Sequence, residues 1–355
     1  MLQDRISIAR SYLERGNVEA IIFVNLANIR YLAGFTGSDG ILVLAADKGW
    51  FLTDSRYVTQ AASEVPSFTI VEYRGKIEGV VALFKEQGFR RIGFEADHMT
   101  VAFHGELASA LQGTTLCPLE RELDTLRIVK DQQELDLLAN TAAVASSALI
   151  DNLELIRPGT VEQDLALALE FAMKKRGAEE KSFDFIVASG WRGALPHGKA
   201  SDKVIEAGEL VTIDFGAVKK GYHSDETVTI GVGSLSSRQQ EIYQIVKDAH
   251  DMALEAIRPG VAFKDLDAIA RNHIDSKGYG RYFGHGLGHG VGLDVHEKPL
   301  VSSRGEGVVE AGMVFTIEPG VYIPEWGGVR IEDTVAATSD GYRLLTKVPK
   351  ELMIV

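Results

Sequence analysis

The chain has 355 residues, 45% of them hydrophobic and 25% charged, enough to build a sizeable core and more than one ordinary domain. Its 37 Lys and Arg against 50 Asp and Glu leave a net charge of −13, which argues against nucleic-acid or anionic-membrane partners, since both need a basic face. Cys117 is the only cysteine, so neither an intrachain disulfide nor a cysteine metal cluster can form, as expected for a cytoplasmic protein.

The N-terminal MLQDRISIARSYLERG carries charges every few residues and lacks the apolar run of a signal peptide. Ile6 to Arg15 reads as an amphipathic helix stopped at Gly16, and AIIFVN (Ala20 to Asn25) as a buried strand. ILVLAA (Ile41 to Ala46) and GWFLTD (Gly49 to Asp54) are strands across the turn Asp47-Lys48-Gly49. A helix over 79–87, the strand RIGFEA (Arg91 to Ala96) and a helix over 101–111 complete a small α/β domain. All these apolar runs fall far short of the ~20 residues that span a bilayer. From about Leu126 the pattern changes, and KDQQELDLLANTAAVASSALIDNLELI reads as one long helix closed by Arg157-Pro158-Gly159. The expected domains are 1–124 and 125–355.

The second domain contains an internal repeat. Ile156-Arg157-Pro158-Gly159 recurs as Ile257-Arg258-Pro259-Gly260, with Asp164-Leu165 matching Asp265-Leu266. EAGELVTIDFG (Glu206 to Gly216) recurs as EAGMVFTIEPG (Glu310 to Gly320), and Asp225 to Val228 as Glu332 to Val335. The predicted fold is α/β, a small N-terminal domain followed by two duplicated halves about a pseudo-twofold axis.

The duplication pairs Asp214 with Glu318 and Asp225 with Glu332. Strand alternation puts Asp225, Thr227 and Thr229 on one face, and Arg330, Glu332 and Thr334 on another, while Val228, Ile230, Ile331 and Val335 face away. A twofold axis brings four carboxylates into one pocket, where like charges raise one another's pKa. Two divalent cations balance them and one does not. Between them lies GHGLGHGVGLDVHE (Gly284 to Glu297), holding His285, His289 and His296, with glycine at every second position from 284 to 292, which rules out a helix. His197 sits in the loop ALPHGKAS before the first carboxylate strand. Oxygen-rich ligands with imidazole suit Mn²⁺, Co²⁺ or Zn²⁺. Taken singly, Asp214 or Asp225 would be a turn residue; recurrence in register argues otherwise. Arg330 reads equally as an ion-pair partner of these acids, and Asp54 with Arg56 as a turn cap more than a substrate contact.

The ordered set Asp214, Asp225, His289, Glu318 and Glu332 resembles the ligands of the pita-bread metallopeptidases, which include methionine aminopeptidase, aminopeptidase P and prolidase. NIRYLAGFTGSDG (Asn28 to Gly40) and FLTDSRYVTQA (Phe51 to Ala61) resemble the creatinase-type N-terminal domain, which methionine aminopeptidases lack. The resemblance therefore points to the Xaa-Pro peptidases. It implies two divalent metal ions, Mn²⁺ foremost and Co²⁺ or Zn²⁺ as alternatives, held by those five residues, with Glu318 also acting as general base on a bridging water. His197, His285 and His296 match substrate-contacting and proton-transfer histidines, and Arg330 matches an arginine lying behind the ligands. It further implies a proline-containing di- or oligopeptide substrate and a homodimer. One departure stands out. Where the family commonly reads Ser-Asp-x-Thr-Arg-Thr, this chain has Ser224-Asp225-Glu226-Thr227-Val228-Thr229, losing an arginine and gaining an acid. A non-catalytic peptide-binding module on this fold, a creatinase-like hydrolase acting without metal and a methionine aminopeptidase-like activity are the competing readings. The intact ligand set opposes the first two, and the extra N-terminal domain opposes the third.

Overall fold

Hydrophobic alternation and capping chemistry account for most elements of the chain. The computed structural model describes residues 2–119 and 123–355, and its contacts separate a unit ending at Arg127 from one beginning at Ile128. In the first unit a mixed sheet has the strand order Thr69–Glu72, Gly49–Thr53, Ile41–Ala45, Ala20–Phe23, Arg91–Glu95, Thr115–Leu119. The central strand Ala20–Phe23 is buried along its whole length. It pairs antiparallel to Ile41–Ala45 and parallel to Arg91–Glu95, so both of its edges are hydrogen-bonded, and the burial of successive side chains shows both faces covered. Helices Leu26–Ala33 and Val58–Glu64 and the two outermost strands add to the elements legible in sequence. Asp54 accepts from the Arg56 backbone N–H at 2.9 Å and from its guanidinium, closing its own turn. No helix among the described residues is long and apolar enough to cross a membrane.

The second unit repeats one plan twice. Helix Gln132–Ile150 starts on a capping box made by Asp131 and Glu134, and Ser237–Glu255 on one made by Ser236 and Gln239. The first helix is shorter than its sequence suggested. It ends at Ile150, where Asn152 Nδ2 turns back to donate to the Ala148 carbonyl at 2.7 Å, and a single 3-10 turn, Leu153–Leu155, follows. Gly159 and Gly260 both take positive φ, 93° and 91°. Their N–H groups donate to equivalent carbonyls, Ile205 and Val309, each at 2.9 Å. Helices Glu162–Lys175 and Phe263–Ser276 then lead to the two strand pairs.

In the first half Leu210–Phe215 pairs antiparallel with Glu226–Gly231, and in the second Val314–Ile317 pairs with Asp333–Ala337. Small hairpins bridge each pair, Ala217–Lys219 with Tyr222–His223 and the longer Gly320–Ile323 with Gly327–Arg330, so Glu332 follows Glu318 at a longer interval than Asp225 follows Asp214. The halves meet where Glu332 N–H donates to the Thr227 carbonyl at 3.1 Å and Thr334 Oγ1 donates to the Asp225 carbonyl at 2.7 Å. Val228 lies in the buried aliphatic layer with Ile213 and Ile230, where an arginine would have no solvent.

Candidate metal centre

The strand geometry delivers the acids to one cleft of about 620 Å³, lined by Asp214, Asp225, His289, Glu318 and Glu332 together with His197, His285, His296 and Arg330. Every site residue expected from the sequence is therefore in one cleft. Asp214 is the penultimate residue of the strand Leu210–Phe215, Asp225 and Glu332 each immediately precede a strand, and Glu318 immediately follows one. His289 sits in the short strand Gly288–Gly290. The alternating glycines have a steric reason here. A Cβ at Gly288 would lie 2.0 Å from the Thr316 carbonyl oxygen, and one at Gly290 2.1 Å from that of Lys298.

Asp225, His289 and Glu332 each offer a ligand atom within 4.8 Å of the others. His289 Nε2 is also 3.5 Å from Glu318 Oε1 and 3.6 Å from Asp225 Oδ2. Its Nδ1–H donates to the Gly290 carbonyl at 3.0 Å, a tautomer assigned from that partner, which turns the Nε2 lone pair toward the acids. Glu332 Oε1 and Asp214 Oδ1 are buried with no hydrogen-bond partner. Orphaned buried carboxylate oxygens are costly, and divalent cations complete them, so the donor set fits the metals that the sequence implies.

The electrostatics agree. Burial, then Glu332, Asp214 and Glu318, pushes the Asp225 carboxyl far above the carboxylate range. Burial, then Glu318 and Asp214, does the same to Glu332. Burial also raises Glu318, although His285 and Arg330 oppose it. Burial lowers His289 and His285, and lowers His296 with help from His289, so neutral imidazoles are favoured. His296 packs its ring 4.2 Å from that of His289.

Arg330 is a buried hub. Its guanidinium donates to Asp214 Oδ2 at 2.7 Å, to Thr227 Oγ1 and the Pro196 carbonyl, each at 3.2 Å, and to Tyr322 Oη at 2.9 Å. Through Pro196 it also anchors the loop that carries His197. Tyr322 in turn donates to His285 Nε2 at 2.9 Å, while His285 Nδ1–H donates to the Gly286 carbonyl at 2.8 Å. Burial holds the Tyr322 phenol up at about 12, so it remains a donor.

Tyr322 was not legible as a site residue. Its one signal is a hydroxyl in the otherwise aliphatic strand Gly320–Ile323. Thr227, which donates to Glu332 Oε2 at 2.7 Å, and Thr316, which donates to Glu318 Oε1 at 3.3 Å, share the face of the acids, but their role emerges only from these contacts. Another difference concerns the reverse face, expected to be aliphatic. Beside Val228 and Ile331 it carries two buried acids, Glu226 and Asp333.

The family profile of metallopeptidase family M24 matches residues 136–339, and that of the creatinase/prolidase N-terminal domain matches residues 5–129. An uncharacterized peptidase of Bacillus subtilis, YqhT, is 45% identical over 95% of this chain and 96% of its own length. Among solved structures, an Xaa-Pro dipeptidase from Bacillus anthracis superposes with a TM-score of 0.97 at 42% identity, covering all of both chains. An X-Pro aminopeptidase from Thermotoga maritima superposes with a TM-score of 0.91 at 35% identity over 99% of both. This protein belongs to metallopeptidase family M24, as a metal-dependent peptide hydrolase bearing a creatinase/prolidase N-terminal domain.

Proposed function

We propose that the protein is an Xaa-Pro exopeptidase, hydrolysing the bond between an N-terminal residue and proline. The observation that carries this reading is the convergence of Asp214, Asp225, His289, Glu318 and Glu332 in one cleft, in a chain whose full-length neighbours include an Xaa-Pro dipeptidase and an X-Pro aminopeptidase. The X-Pro bond is a tertiary amide that lacks an N–H and takes both isomers, so a dedicated pocket is required. Two divalent cations, Mn²⁺ before Co²⁺ or Zn²⁺, are the proposed complement of the five ligands, and when bound they supply Lewis acidity and a water of lowered pKa.

The chain's own residues do the rest. Glu318 is the general base of this reading, taking and returning a proton, a role supported by its raised pKa and its contact with Thr316. Arg330 and Tyr322 fix Asp214 and His285 in place, and His197 and His296 line the wall open to substrate. A homodimer and a cytoplasmic location complete the reading, the first supported by the family resemblance and the second by the lone cysteine; sedimentation tests the first.

Product release from Ala-Pro and from Ala-Pro-Ala, by Mn²⁺-loaded and by chelated protein, tests the activity. Metal-dependent cleavage of the dipeptide alone identifies a dipeptidase, and cleavage of the tripeptide an aminopeptidase. Silence on both with metal bound would sink the Xaa-Pro reading and favour a methionine aminopeptidase-like activity or a peptide-binding role.

A further inference from the structure

The two acids on the reverse face of the ligand strands are themselves a duplicated pair. Glu226 follows Asp225 as Asp333 follows Glu332, and strand alternation turns both away from the cleft. Both are buried, at 1% and 3% exposure. Glu226 Oε2 accepts from Ser146 Oγ, and its Oε1 accepts from the Val348 N–H at 3.0 Å and from Lys350 Nζ at 2.6 Å. The same ammonium lies 3.3 Å from Asp333 Oδ1. Asp333 also accepts from Thr346 Oγ1, and its Oδ2 lies 3.2 Å from His250 Nε2. One lysine of the C-terminal segment thus bridges the equivalent acids of both halves. The segment is seated by the Lys347 N–H donating to Ser146 Oγ and by Tyr243 Oη donating to the Lys350 carbonyl, each at 3.0 Å.

We infer that the Glu226–Lys350–Asp333 bridge is a positioning device that sets the spacing of Asp225 and Glu332 across the two halves, so that residues 346–350 tune metal affinity without touching the metals. Each bridged acid is covalently next to a ligand, and the strands that carry them are joined across the halves by the Glu332 to Thr227, Thr334 to Asp225 and Thr229 to Arg330 bonds. A shift of either acid therefore moves the neighbouring ligand. The bridge also accounts for the acid gained at position 226, which serves the back of the sheet and not the cleft. This inference rests on reading Asp225 and Glu332 as metal ligands.

The test is Mn²⁺ titration calorimetry on stripped full-length protein, with the Co²⁺ absorption spectrum as a second readout and thermal unfolding as a control. The informative variant carries both Glu226→Gln and Lys350→Met. It removes one anion and one cation together and leaves the net charge behind the ligands unchanged, while Asp333 keeps Thr346 Oγ1 and His250 beside it. The expected result is Mn²⁺ binding weakened about 10–100-fold, the range seen when groups supporting metal ligands are removed, with an altered Co²⁺ spectrum in protein that still unfolds cooperatively. Unchanged Mn²⁺ affinity and Co²⁺ spectrum would overturn the inference, whatever happens to stability. If the double variant does not fold, Thr346→Val removes only an uncharged donor to Asp333 and takes the same measurements with the same deciding outcomes. If the unaltered protein itself takes up no Mn²⁺, the ligand reading fails first and the inference falls with it.

Discussion

At Asp225 the requirements of stability and of chemistry oppose each other. Its carboxyl is buried beside three others, and its pKa is raised because ionisation is disfavoured there. A raised acid pKa means that stability falls as pH climbs above the ordinary carboxylate range. In metal-free protein at pH 7, Asp225→Asn should therefore stabilise the fold, because it removes the cost of ionising a buried acid among like charges, while metal-dependent hydrolysis is lost. Urea unfolding of stripped protein reads this directly, and a less stable Asn variant would refute the crowding of charge at this site. That Asp225 is a ligand candidate was legible from its recurrence as Glu332. That Tyr322 closes the chain from Arg330 to His285 was not, because nothing in its local spacing separates it from a core tyrosine. Glu226 was visible as an extra acid, but its partner Lys350 lies 124 residues away, beyond any local pattern.

Among the elements, the helix Glu162–Lys175 does more than cover the sheet. Glu162, fully buried at its start, accepts from the Ser189 and Ser201 N–H groups at 2.8 and 3.1 Å and pairs with Arg192. It thereby ties down the segment that holds His197. Glu162→Ala leaves these donors and a guanidinium without their acceptor, which should cost about 2–4 kcal/mol. Hydrogen exchange over 190–201 should quicken and KM for Ala-Pro should rise, whereas unchanged exchange there would mean that the loop stands without its anchor. On helix Ser237–Glu255, His250 lies between Asp251 and Asp333, with Lys350 nearby. Burial alone would lower its pKa, but the two acids outweigh both burial and Lys350, and the imidazole is held above its ordinary value. A histidine with a raised folded pKa contributes fully below about pH 6.5, its unfolded value, and loses that contribution as pH rises through the folded value. The stability gap between the parent and His250→Gln should thus narrow from pH 6 to pH 9, as Tm profiles will show; a gap that widened would reverse the assignment. The ends of these elements came partly from sequence. The Pro-Gly turns mark them, whereas both capping boxes came only with the structure, and the stop at Ile150 depends on Asn152 reaching back to a carbonyl, a contact that periodicity does not contain.

For the molecule as a whole, the expected metals are part of the stability as well as the chemistry. Four acids gathered from two halves repel one another until cations are bound. Ligand present at a hundredfold excess over its Kd adds about 2.7 kcal/mol per site to the unfolding free energy. Mn²⁺ should raise the stability of stripped protein by that order and chelation should reverse it, with Asp225→Asn responding far less. Equal stability with and without Mn²⁺ would mean that the centre does not load.

Sequence alone carried the expected two-part organisation, the duplication, the candidate acids and histidines, and the face of each strand they were assigned to, because repeats in register and a period of two are properties of consecutive residues. It could not decide which lone pairs remain open, which tyrosine and lysine complete the site from behind, or that one lysine joins the two acids of the reverse face. Those outcomes depend on side chains as much as 134 positions apart, such as Arg330 and Pro196, arriving within hydrogen-bond reach. Burial makes each such meeting decisive, because a polar group removed from water must find its partner in the fold or carry the cost of lacking one.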